Sequence, residues 1–289
     1  IARLERQRAA HIDDQHAVRR QVRDAERDIE LSTRRIAEIG QDIARLVPTA
    51  GAAFTMTVAG KRYNERKDAG RALMQEVAGA SRTHKSEARL ALARFYAAND
   101  LAVEALGPLG ALTADDAAMR ANREVPFLKG VAEAQLHRNM AALAAFDAPP
   151  IKEDVEAGLW RALIEQRLDR NAQALVGFRR GEPLLERYPA DLQGEFREAM
   201  VRAALATQDM GLAERQVQAL ADMPPGSFDQ EKLALLRAML DDASGRADAA
   251  MSGYRPLFEA KSRPIAAEAQ LRAVKLADAD KRSDLKSDE

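Results

Sequence analysis

A three-part spacing recurs five times between residues 93 and 254 and constrains this chain more than any other feature. A small residue is followed twelve positions later by alanine, and four positions after that by a larger apolar residue. The instances are Ala93/Ala105/Leu109, Gly130/Ala142/Phe146, Ala162/Ala174/Phe178, Val201/Ala213/Val217 and Ala238/Ala250/Tyr254, with Val201 the one member that is not small. The central alanines stand 37, 32, 39 and 37 residues apart. Between the first two members of each set lie turn formers: Asn99-Asp100, Arg138-Asn139, Asp169-Arg170-Asn171, Gln208-Asp209 and Ser244-Gly245-Arg246. An offset of four is one helical turn, and an offset of twelve across a break is a helix, a tight turn and a second helix. Each set therefore predicts a helical hairpin, whose small residue and alanine let two backbones approach while the larger residue fills the space toward the next hairpin. Pro149, Pro189 and Pro224 fall between the hairpins and Pro264 after the last, where helices must stop.

This order of small, alanine and aromatic positions over roughly 90–280 resembles the tetratricopeptide repeat family. Trp160 departs from the family pattern, standing two residues before Ala162 instead of four. The resemblance implies an α-solenoid of about five hairpins over 86–280 whose concave groove holds a peptide or partner helix. The chain would then be a protein-binding scaffold without enzymatic activity. Arg179 and Arg180 are candidates for lining that groove against an acidic peptide, although a solvated helix face accounts for them equally well. Trp160, Phe178, Tyr188, Phe196, Tyr254 and Phe258 carry most of the bulk in this half and read as core at solenoid spacing.

The N-terminal part is unlike the rest. Residues 1–47 hold no proline, and Val22, Ile29, Ile36 and Ile43 with Ala25, Ser32, Ile39 and Leu46 occupy the two core positions of a heptad. They predict a long helix of coiled-coil type, able to mediate self-association. Pro48 ends it. Residues 54–58 (Phe-Thr-Met-Thr-Val) alternate and are β-branched, Ala59-Gly60 makes a turn, and 61–64 returns, so a small β-hairpin is expected before a helix from about Lys67. The order coiled coil, Pro48-Thr49-Ala50-Gly51, strand, Gly60-Lys61-Arg62-Tyr63, Arg66 and Gly70 is similar to the C-terminal region of plasmid and phage helicase/DNA-methylase proteins. That resemblance implies a nucleic-acid accessory region as the alternative function. Its contacts would be Lys61, Arg62, Arg66 and Lys67 beside Tyr63, a basic patch flanking an aromatic ring. A hairpin edge kept soluble by its charges explains the same residues. Residues 48–85 form the second unit, and 281–289 read as a disordered tail.

Fold class is thus mainly α: a coiled-coil helix, a β-hairpin, then the solenoid. With no cysteine, disulfides, thiolate metal sites and cysteine nucleophiles are excluded. A net charge of −1 gives no global attraction to nucleic acid or anionic membrane, and no apolar run is long enough to span a bilayer. Gly60-Lys61 lacks the Ser or Thr and the preceding glycine of a phosphate-binding loop. His11 and His16 point to different helical faces, His84 lies in a polar linker and His137 near a helix end, so no metal site is expected. Asp115-Asp116 and Glu153-Asp154 precede apolar runs and read as helix N-terminal charges. No cofactor is expected. The cytoplasm is the expected compartment, or the periplasm if a signal peptide precedes Ile1.

Overall fold

The computed structural model describes residues 63–82 and 84–287. The coiled-coil helix expected over 1–47, the strands expected over 54–62, and Lys61 and Arg62 lie outside the described residues. Among the described residues the regular elements are thirteen α-helices and two short 3₁₀ segments, with no strand. Tyr63 and Asn64, expected at the end of a returning strand, instead open helix α1 (Tyr63–Gly79). The reason is local. Glu65, Arg66 and Lys67 are good helix formers, and nothing between Gly60 and Ala69 breaks the helix that Ala69, Leu73 and Val77 define.

Five pairs of antiparallel helices follow. Helices α2 (Lys85–Ala98) and α3 (Ala102–Asp115) make the first; after the short α4 (Ala117–Ala121), α5 (Glu124–Gln135) and α6 (Asn139–Phe146) make the second. The third is α7 (Val155–Arg167) with α8 (Asn171–Gly181), and the fourth α9 (Ala190–Ala206) with α10 (Met210–Ala221). The fifth is α11 (Gln230–Ala243) with α12 (Ala247–Tyr254). Helix α13 (Arg263–Ser287) closes the row. Residues 281–287, expected as tail, continue α13, because no glycine or proline stops it there.

One turn joins the helices of all five pairs. Asp100, His137, Asp169, Gln208 and Gly245 each have φ between 56° and 73°, and each stands five residues before its repeat alanine. The residue after each donates its N–H to the carbonyl five back: Leu101 to Tyr96, Arg138 to Glu133, Arg170 to Glu165, Asp209 to Ala204 and Arg246 to Asp241, at 2.8–2.9 Å. These are Schellman closures, which satisfy the end of one helix and aim the chain back along it. Four of the five left-handed positions are filled by residues other than glycine, so conformational strain is accepted to keep the hairpin tight. Carboxylates start several helices. Asp154 accepts from the N–H groups of Glu156 and Ala157 at the head of α7, and Asp229 from those of Glu231 and Lys232 at the head of α11.

All fifteen repeat positions are buried. A methyl added at Gly130 would lie 2.5 Å from the Phe146 ring, so that ring rests directly on the α5 backbone. In the third and fifth pairs the closest approach involves glycines that the spacing rule passed over. A methyl at Gly177 would meet the Gly158 carbonyl oxygen at 2.6 Å and Ala162 Cβ at 2.8 Å, and one at Gly253 would meet Ala238 Cβ at 2.8 Å. The aromatic residues join the pairs. Phe146 stacks on Trp160 with centroids 6.4 Å apart, and Trp160 meets Phe196 edge-on at 5.1 Å. The Trp160 ring N–H donates to the Tyr188 hydroxyl at 3.0 Å, which donates in turn to buried Glu156 at 2.6 Å. Phe178 and Tyr254 are fully buried and Phe258 half-buried, so the aromatic set is core, as expected.

The row bends toward its first helices. Helices α2 and α5, α5 and α7, α7 and α9, α9 and α11, and α11 and α13 touch in succession. Each second helix instead packs on the first helix of the following pair, and no comparable packing joins successive second helices among the described residues. Close-packed first helices and spread second helices place the former on the inside of the curve.

Candidate functional site

Ion pairs cross from one first helix to the next along the inner side. Arg94 on α2 meets Glu124 on α5 through two nitrogens, and Arg123 meets Asp154 at the head of α7. Arg167 on α7 pairs with Glu195 on α9, and Lys232 on α11 with Glu198 on α9 at 3.0 Å. Arg202 on α9 reaches past α11 to Glu268 on α13, with both terminal nitrogens on both carboxylate oxygens at 3.0 and 3.2 Å. Burial opposes the charge on Glu268, but hydrogen bonds and attraction to Arg202, and then to Arg272, outweigh this and hold its carboxyl below the usual range. Most of these pairs are partly exposed and contribute about 0–1 kcal/mol each, so they fix the register of neighbours more than they stabilise the fold.

Between α7, α9 and α11 this inner side opens into a cavity of about 430 Å³. Buried Leu163 and Ala199 and half-buried Phe228, from the loop before α11, are the apolar residues of its lining. A methyl at Gly194 would lie 2.7 Å from the Phe228 ring, so the missing side chain at 194 is what seats that ring. Around the apolar part stand Arg167, Asp191, Glu195, Glu198, Arg202, Asp229 and Lys232, with Gln166, Ser227 and His137 completing the lining.

The residues singled out from the sequence fall elsewhere. Arg179 and Arg180 lie exposed on α8, a second helix, and neither lines the cavity. Arg179 binds Asp209, the N-cap of α10, at 2.7 Å, tying one second helix to the next pair on the outer side. Its hydrogen bond is the main reason the Asp209 carboxyl lies below the ordinary range. Both arginines are on the exposed face of α8, opposite the side whose Ala174 and Phe178 are buried. Tyr63, Arg66 and Lys67 occupy the first turns of α1. Asp116 and Asp154 are N-caps, as expected for acids ahead of apolar runs. His84 Nδ1 lies 2.9 Å from the Ser81 hydroxyl, and His137 is the left-handed turn residue of the second pair. Among the described residues no three His, Asp or Glu side chains converge as a metal site, and no helix is long and apolar enough to cross a membrane.

Sequence reasoning passed over Arg167, Glu195, Glu198, Arg202, Phe228 and Lys232. The only local signal was the i, i+4 pair Glu198 and Arg202, which reads as an ordinary solvated face. Their partners lie 28 to 66 residues away. Comparison of the chain with protein-family models, curated proteins and solved structures gives no match.

Proposed function

We propose that this chain is a non-enzymatic interaction module of tetratricopeptide-like α-solenoid type, holding a peptide or partner helix against the first helices of its third to fifth pairs. The observation that supports this best is the cavity of about 430 Å³ between α7, α9 and α11. It combines apolar lining residues with a charged rim, and its size falls within the range of ligand sites, about 300–1,000 Å³. A row in which each pair is stabilised by its neighbours leaves one long face free for a partner. Residues 1–47 would add self-association.

Site-specific crosslinking in the producing cells tests the reading. Benzoylphenylalanine at Gln166 or Asp191, inside the curve, should give a discrete adduct, while the same group at Val176 or Arg180 on α8 should not. Adducts from the α8 positions alone, or none from the inner ones, would remove the groove from consideration.

A further inference from the structure

The charges around the cavity are not equally available. Arg167 is held on both sides, by Glu195 and by the Ala134 carbonyl at 2.8 Å. Arg202 has all three nitrogens engaged, Nε on Glu198 at 3.1 Å and the other two on Glu268. Lys232 is bound to the second oxygen of Glu198. Every lysine and arginine of the lining is therefore neutralised from within. The acids are in surplus. The carboxylate of Asp191, exposed in the first turn of α9, makes no hydrogen bond or ion pair with any described residue. Asp229 uses only Oδ1 for its capping bonds.

An incoming carboxylate would have to break existing pairs and would then face these acids. An incoming cation meets free carboxylate oxygens at once, and half-buried Phe228 offers apolar surface along which a long aliphatic stem lies. On this basis, and resting on the groove reading above, we infer that the occupant is a basic peptide segment, one of whose lysine or arginine side chains lies along Phe228 and ends on Asp191. Complementary charge then selects the partner, an acidic segment being repelled. This reverses the preference for an acidic peptide that Arg179 and Arg180 suggested.

The test pans a random dodecapeptide display library against the full chain and, in parallel, against Gln166→Trp, which fills the cavity from a half-exposed lining position. Peptides that bind the wild type and not Gln166→Trp should be enriched in lysine and arginine. Synthesised versions should lose roughly tenfold in affinity to Asp191→Asn, as expected for one charge-assisted contact. Groove-dependent peptides that are neutral or acidic, and bind Asp191→Asn equally well, would overturn the basic-peptide assignment while leaving the groove reading standing. If no peptide distinguishes wild type from Gln166→Trp, the groove reading falls and this inference falls with it. Asp191 is exposed, so its substitution reads binding even if Gln166→Trp proves unstable.

Discussion

Gly177→Ala tests how closely the helices of a pair approach. The added methyl would sit 2.6 Å from the carbonyl oxygen of Gly158 and 2.8 Å from Ala162 Cβ, whereas carbon contacts are comfortable at about 3.5–4.0 Å. The obstacle is backbone, which cannot rotate aside as a side chain can. Helices α7 and α8 must therefore separate by roughly 1 Å along a buried seam that includes Ala162, Ala174 and Phe178. Overpacking of this kind costs about 1–3 kcal/mol, and a backbone obstacle belongs at the upper end. Removing glycine from a helix interior returns about 1 kcal/mol. The expected net loss is about 2 kcal/mol, or about 4–8 °C in melting temperature for a chain of this size. Gly158→Ala is the control, because a methyl there meets nothing within 4 Å. It should stabilise by about 0.5–1 kcal/mol. Urea unfolding followed through the chain's single tryptophan, Trp160 on α7, reads the third pair directly. If Gly177→Ala unfolds at or above the wild-type midpoint, the close approach of α7 and α8 is wrong, and with it the physical reading of the repeat.

The left-handed turns predict opposite effects at equivalent places. Gln208→Gly should stabilise by about 0.5–1 kcal/mol, since an L-residue there costs about 1–2 and glycine's added chain entropy takes back part; Gly245→Ala should lose about 1 kcal/mol, both measured by urea titration. Tyr188→Phe should cost about 1–3 kcal/mol by leaving the buried Trp160 N–H and Glu156 without that partner. Burial first, and the neighbouring Glu156 second, raise the Tyr188 hydroxyl well above the ordinary tyrosine range. The native state thus keeps a proton that the unfolded chain releases, so this stability is present below about pH 10 and is lost as pH rises further; Tyr188→Phe should flatten the alkaline fall in unfolding midpoint. Arg179→Ala should raise the Asp209 carboxyl toward its ordinary range, seen by NMR titration, without changing peptide binding at the groove.

How far the sequence could be read depended on how far apart the deciding residues lay. The five hairpins were legible because Ala105, Ala142, Ala174, Ala213 and Ala250 belong to local units, with the turn five residues upstream of each. A close helix–helix contact within some twenty residues leaves a periodic trace, since only small residues fit it. Even there the rule was incomplete: in the third and fifth pairs Gly177 and Gly253, three residues past their alanines, sit hard against the facing helix. The helical path of Tyr63 and Asn64 was missed because the preceding glycine and two cations resemble a turn in sequence, whereas the downstream helix extends back as far as Tyr63.

The candidate site was not legible, for a different reason. Sequence by itself determined the helix pairs, their tight turns, the buried aromatic set and the capping role of Asp116 and Asp154. Which helices lie inside the curve was decided only when pairs stacked. That stacking turned Arg179 outward, brought Arg202 to Glu268 across 66 residues and set Phe228 on Gly194. A charged residue on a helix looks the same in sequence whether it faces water or the next helix, because its partner comes from another repeat. Only the stacking of the pairs leaves Asp191 unpaired beside neutralised cations, and the groove's charge follows from that arrangement, not from the composition of any one helix.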